Sequence, residues 1–277
     1  MNRLLKIEWL KIIHYRTAWV FLLLYFLLLI LMGIFIPQIK PTINDTEINF
    51  VQYGAYNFPV VWHNITYFAA IGKIFLAVII VTNVTNEYSN GTLKQNLIDG
   101  LSKKEFLLSK LIGVLLLTLL STLIVSLIAL NLGLRYGTTD PVSLFEGAEY
   151  VGAYALKLLF FFTFVLFLSF LFRKTAFALL MLFVWWVIES ILTMTELYVR
   201  KLMGQDLESV TLLYHSFLPL NASSALIPFP RINLDHLLQG VPIFVAQPLA
   251  WEPVLTTVVY TALFAWLSYV LLKKRNL

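Results

Sequence analysis

The chain has 277 residues, 60% hydrophobic and 13% charged, with no cysteine and a net charge of +5. Soluble domains carry about 45–50% apolar and about 25% charged residues, so this composition excludes a soluble single-core domain and describes a polytopic membrane protein. The absence of cysteine excludes disulfides, thiolate metal sites and a cysteine nucleophile. The positive charge is not a nucleic-acid patch, because the basic residues cluster at the edges of apolar runs.

Residues 1–16 carry Arg3, Lys6, Lys11 and Arg16, and place Leu5, Trp9 and Ile12 on one helical side. Ile7 and Leu10 fall on the other side, so the amphipathicity is incomplete. This pattern predicts an interfacial helix lying along the membrane, with Trp9 at headgroup depth. Residues 17–37 form the first span. An apolar run of about 20 residues is long enough to cross, and no small-x-small site follows, which argues against a signal peptide. Residues 38–61 are polar and carry Pro41, Asp45, Glu47 and Pro59; they predict a loop with a short hairpin around Asn57-Phe58-Pro59. Span two covers 62–85. Its second half is rich in β-branched residues, which lipid tolerates in a helix because no other structure satisfies the backbone there.

Residues 86–104 form a polar, glycine-punctuated island between two apolar runs. Thr92 to Ile98 contains no helix breaker and sets Leu93 and Leu97 four apart, on one face. Asp99-Gly100 is a stop and turn. Ser102 and Glu105 spell a capping box: the serine oxygen takes the amide three residues on, and the glutamate reaches back to the cap amide. The island therefore predicts a short helix, a turn, and a firmly started next helix.

Span three, 104–134, is longer than a membrane needs, so its start projects from the membrane or the helix tilts. Residues 135–149 form a loop turning at Asp140-Pro141, and span four, 150–172, is dense in phenylalanine. Arg173-Lys174 is a two-residue turn that makes spans four and five (175–197) a tight antiparallel hairpin. Segment 198–250 is broken by Pro219, Pro228, Pro230, Pro242 and Pro248. Its apolar pieces, of about 10–14 residues, suit re-entrant or interfacial segments better than spans. Span six covers 251–272, followed by Lys273-Lys274-Arg275. Six spans put both ends on one face. About 13 of the 20 Lys and Arg residues lie at the N-terminus, the island, Arg173-Lys174 and the C-terminus, which makes that face cytoplasmic. No internal repeat is present, so any symmetry requires a second chain.

Lys73, Lys157 and Glu189 fall within spans. A charge at mid-membrane costs roughly 2.5–3.5 kcal/mol on insertion scales, so each needs a partner, water or a route to the interface. Lys157 and Glu189 both lie roughly 11 Å below the outer ends of their spans at the helical rise, a spacing that favours a direct contact across the hairpin. A Lys73–Glu189 contact, snorkelling lysines with Glu189 in a wet cavity, and a substrate-handling or proton-relay role stay open. His14, His63, His215 and His236 lack metal-ligand spacing; only His236 beside Asp235 is suggestive. Neither a phosphate loop nor a hydrolase or metalloprotease signature occurs. The many phenylalanines read as lipid-facing bulk and packing.

Glu87, then Gly91-Thr92-Leu93, then Ser102-Lys103-Lys104-Glu105-Phe106 with Lys110 resembles the cytoplasmic loop of ATP-binding-cassette exporter permeases of the type-2 class, which often has Arg where this chain has Lys103 or Lys104. The resemblance extends over the whole chain: a basic amphipathic start, six spans, and a long outer segment before the last. It implies an all-α membrane domain with an N-terminal elbow helix, marked by Trp9 and Lys11, and a coupling helix in the island. It implies ATPase contacts at Glu87, Asn90, Gly91, Thr92, Leu93, Lys94 and Leu97, with spans one, two and five lining the pathway and dimer seam. The expected chain performs no catalysis and binds no cofactor. ATP and magnesium belong to a separate cytoplasmic ATPase present in two copies, beside a second permease copy or homologue, in the cell (inner) membrane and its lipid. Two other classes remain: a non-transporting mechanical complex acting on an outer-face partner, and an integral membrane enzyme, whose polar cluster only segment 198–250 offers.

Overall fold

Apolar runs of span length leave the backbone one way to satisfy its amides in lipid, the continuous helix. The computed structural model describes residues 15–38, 42–43, 46–47, 49–137, 144–204, 214–233 and 243–275. Within them, α1 (Arg16–Phe35) ends in a 3-10 turn, Ile36–Gln38. A two-residue antiparallel pairing of β1 (Thr42–Ile43) with β2 (Thr46–Glu47) follows. Then come α2 (Val60–Ala69), a 3-10 turn at Ala70–Gly72, α3 (Lys73–Ser89), α4 (Thr92–Ile98), α5 (Lys103–Tyr136), α6 (Glu149–Phe172) and α7 (Thr175–Leu202). A 3-10 turn, Tyr214–Phe217, leads into α8 (Pro219–Ala225). The β3 (Arg231–Ile232) and β4 (Phe244–Val245) pair, also antiparallel, precedes α9 (Trp251–Lys274). Among the described residues six helices are long and apolar enough to cross a membrane, with α2 and α3 together making the second, so the chain is an all-α polytopic membrane protein.

The centre of the bundle is α6, which packs against α9, α3, α5, α7 and α2. Two-thirds (67%) of its apolar window is buried, against 11% for α7. Its phenylalanines are mainly core rather than lipid-facing. Phe160, Phe162, Phe164 and Phe170 are fully buried, and Phe164 meets Phe264 of α9 at 4.7 Å and Trp185 of α7 at 5.3 Å between ring centroids. Such pairs contribute about 0.5–1.5 kcal/mol each beyond area burial. A buried hydroxyl cluster joins three spans: Tyr25 of α1 bonds Ser121 of α5, which lies 2.9 Å from Tyr154 of α6. Membrane helices lack a hydrophobic drive toward one another, so packing and such hydrogen bonds hold them. α1, α7 and α9 turn apolar side chains outward, among them Leu23, Leu180, Ile191 and Val259.

Several boundaries differ from the sequence reading. Span two runs from Val60 to Ser89 and is interrupted by the 3-10 turn. A Cβ on Gly72 would lie 2.9 Å from the Tyr25 ring, so α1 crosses span two there. The fifth span continues to Leu202, carried by an i,i+4 ion pair in which Arg200 lies 3.0 Å from Glu196. No strand hairpin forms at Asn57-Phe58-Pro59; turn bonds such as Asn57 N to Gly54 O feed the start of α2 instead. The interfacial helix with Trp9 and Lys11, the Asp140-Pro141 turn and the Asp235-His236 pair lie outside the described residues.

Candidate functional site

The island joins α3 to α5 through α4. Gly91 is the N-cap of α4 with φ 69°, and Gly100 follows the helix with φ 94°, so both ends turn through the left-handed region that glycine enters without a steric penalty. Nothing lies within 4 Å of a Cβ built on Gly91; the backbone angle alone fixes the residue. The next helix starts on a complete capping box. The Glu105 amide donates to Ser102 Oγ at 3.2 Å, and the Ser102 amide donates to Glu105 Oε2 at 2.9 Å.

Short helices in water are unstable alone, so α4 depends on what it packs against. Leu93 is 2% exposed and Leu97 packs partly buried against the core. Beneath the island Lys110 of α5 forms a buried ion pair with Glu87 of α3, and donates a second bond to Asn83 Oδ1 at 2.9 Å. Thr85 and Thr175 hydroxyls lie 2.7 Å apart, tying α3 to α7. Arg275 donates from Nη2 to the Leu171 carbonyl at 3.0 Å and from Nη1 to the Phe170 carbonyl, closing the C-terminus of α6. Lys103 in turn donates to the Arg275 carbonyl at 2.7 Å, beyond the end of α9. Cations at helix C-termini satisfy orphan carbonyls and complement the dipole. Around the island, α3 is thus tied to α5 and α7, and the end of α9 to α5 and α6.

The expected contact residues differ in exposure. Asn90, Gly91, Thr92 and Lys94 are exposed. Glu87, at 5% exposure, and Leu93 are buried: the Lys110 amine closes over the first, and the second lies on the inward apolar face of α4. Leu97 is half-buried for the same reason. The outward face of α4 is Thr92, Lys94, Gln95 and Ile98, with Asp99 beyond it. Ile98 is 84% exposed. The sequence carried a signal for it: Ile98 falls off the Leu93–Leu97 stripe, so an inward stripe puts it outside. The inward Lys110 and the C-terminal Arg275 had no such signal.

The span charges are not paired as their spacing suggests. Among the described residues neither Lys157 nor Lys73 forms an ion pair with Glu189. The carboxylate of Glu189 instead accepts the Leu220 amide at 3.1 Å, the Asn221 amide at 2.9 Å and Trp185 Nε1 at 2.7 Å. Lys157 donates to the Ser224 carbonyl at 3.3 Å. The two charges sit at opposite ends of α8, carboxylate at the N-terminus and ammonium toward the C-terminus. Both positions complement the helix dipole, and the orphan amides of a helix inside a membrane need an acceptor. Two turns further along α7, Glu196 treats the other broken piece the same way, accepting the Tyr214 amide at 2.9 Å and the His215 amide at 2.8 Å. No group of three or more metal-binding side chains occurs among the described residues.

Six spanning helices, a central helix wrapped by the others and one fastened polar loop define an integral, multi-pass membrane component. The model of the ABC-2 family transporter protein matches residues 3–277, so the chain belongs to that family. It is a membrane permease subunit of an ATP-binding-cassette transporter, and family membership implies partnership with an ABC ATPase. No individually curated protein matches the chain.

Proposed function

We propose that the chain is the permease half of an exporter whose ATPase resides on a separate cytoplasmic subunit, and that α4 is the coupling helix on which this subunit docks. The island face is cytoplasmic in this reading, as are both termini, which agrees with the distribution of Lys and Arg. Two permease chains and two ATPases form the complex, in the cell (inner) membrane. ATP and magnesium bind the ATPases, and no cofactor binds this chain. Closure of the ATPase pair pushes α4, and the Glu87–Lys110 pair makes α3 and α5 move with it. A difference of about 5.5 kcal/mol in ATPase affinity between the two loop positions suffices to invert a 1:99 population.

The observation that carries this reading is the contrast within α4: its inner face is locked to the bundle while Ile98 stands in solvent, ringed by Thr92, Lys94, Gln95 and Asp99. Burying such a side chain against a partner stabilises by about 1.5–3 kcal/mol. The test is permease-stimulated ATP hydrolysis in proteoliposomes holding the full chain and its co-purified ATPase. Ile98→Asp is expected to insert and fold normally and to weaken ATPase binding by about tenfold or more, since 1.4 kcal/mol is a factor of about ten. Gly91→Pro abolishes stimulation, because proline cannot adopt φ 69°. Wild-type stimulation by both variants refutes the proposal.

A further inference from the structure

Lys73 opens α3 directly after the 3-10 break in span two. Ile71 and Ile74 beside it point outward from the bundle, whereas the Lys73 amine turns inward over the Phe161 ring, 4.4 Å from its centroid. It makes no hydrogen bond or ion pair among the described residues. Phe161 lies one helical turn from Lys157 on α6, so the two amines occupy neighbouring turns of one helix face. Lys157 is 4% exposed; its hydrogen bond is the long one to Ser224, and the Tyr67 ring lies 5.9 Å away. His63 is fully buried, stacked on Tyr150 at 4.6 Å, with Nε2 on the Pro228 carbonyl at 2.9 Å and Nδ1 unbonded. The hydroxyl of Ser223, next to the carbonyl that holds Lys157, is buried and unbonded too.

Three basic side chains thus cluster, His63 and Lys157 buried and Lys73 half-buried, and the carboxylate that spacing sets level with Lys157, Glu189, instead accepts the amides of α8 and Trp185. Neighbouring amines at low dielectric repel, and an ionised group inside a membrane requires a counter-charge or acceptors. Irregular backbone at membrane depth lines a cavity or is buried in protein, and both the break at Ala70–Gly72 and α8 border this cluster. We propose that Lys73 and Lys157, backed by His63, form an intramembrane binding site for a phosphate-bearing anion that enters beside the break in span two. A phosphate group fits the donor set: it carries one or two negative charges and several acceptor oxygens, enough for both amines and for neighbouring hydroxyl and imidazole groups. The site stands independently of the docking reading of α4, since binding is measured without nucleotide or ATPase.

The test uses the full-length chain, with two sources of the phosphate group. In one arm the chain is held in nanodiscs of phosphatidylglycerol and phosphatidylcholine, and lipid retained by the protein is quantified after extraction into detergent. In the other, the chain in a phosphate-free maltoside detergent is titrated with inorganic phosphate and the thermal midpoint is followed. Lys73→Gln and Lys157→Gln are each expected to lower retention of the anionic lipid, or the midpoint shift with inorganic phosphate, by about tenfold in affinity, while Lys73→Arg and Lys157→Arg keep it. Loss confined to the first arm identifies a lipid headgroup, and loss confined to the second a free anion. Equal affinity of wild type and Gln variants in both arms overturns the site. Should a Gln variant fail to fold, dipolar coupling between ¹⁵Nζ-labelled lysine and ³¹P in the wild-type protein decides: coupling at Lys73 and Lys157, assigned through the Arg variants, supports the site, and its absence overturns it.

Discussion

At the island face, Glu87 and Lys110 meet directly between two unbroken helices, with Asn83 completing the lysine's bonds. At the opposite face, Glu189 and Lys157 also belong to neighbouring helices, yet a seven-residue helix stands between them and each binds its backbone. The difference follows from what surrounds each charge. α3 and α5 satisfy their own amides, so their side chains are free to pair. The segment before α9 is broken by prolines and enters the bundle with orphan amides, and a carboxylate that can accept two of them is held by those in preference to a distant amine. The first carboxylate is therefore clasped by a lysine side chain, and the second mainly by backbone amides.

The largest expected effect breaks the first clasp. Lys110→Met leaves the Glu87 carboxylate buried without its counter-charge and should destabilise the chain by about 3–5 kcal/mol in detergent unfolding, whereas Glu87→Met combined with Lys110→Met should recover most of it. Glu87→Lys sets two cations together and should abolish stimulated ATP hydrolysis while the protein still inserts. Equal stability of the single and double Met variants would show that the pair carries no structural weight. Next, Glu189→Gln replaces charge-assisted bonds by neutral ones. It should loosen α8 by about 1.5–3 kcal/mol, read as faster hydrogen exchange at the Leu220 and Asn221 amides with α4 unchanged. Exchange that quickens equally at both ends would erase the distinction between the two clasps. The smallest effect is Ser102→Ala, about 1 kcal/mol, read as faster exchange at the Glu105 amide at the start of α5.

Much of the island was legible beforehand. The Ser102–Glu105 box, the glycine-bounded helix and its Leu93–Leu97 stripe are local patterns, set by residues a turn or less apart. The partner-facing surface was less so. The resemblance implies an ATPase contact at Glu87 and includes Lys110 in the same motif, but no local pattern announces that Lys110 closes over Glu87. The same holds for Glu189: hairpin spacing brings it level with Lys157, and nothing in that spacing announces that α8 will fill the gap.

The sequence by itself determined that the chain crosses a membrane six times as helices and that one polar island carries a capped helical turn. Hydropathy and capping decide these locally, because lipid admits no other way to satisfy a backbone. Only the tertiary structure decided that α6 is the centre, that Lys110 closes over Glu87, and that Glu189 and Lys157 answer to the backbone of α8. Those outcomes depend on which groups lie a few ångströms apart after packing, and in a membrane, where every helix is apolar all round, periodicity no longer tells the inside face from the outside.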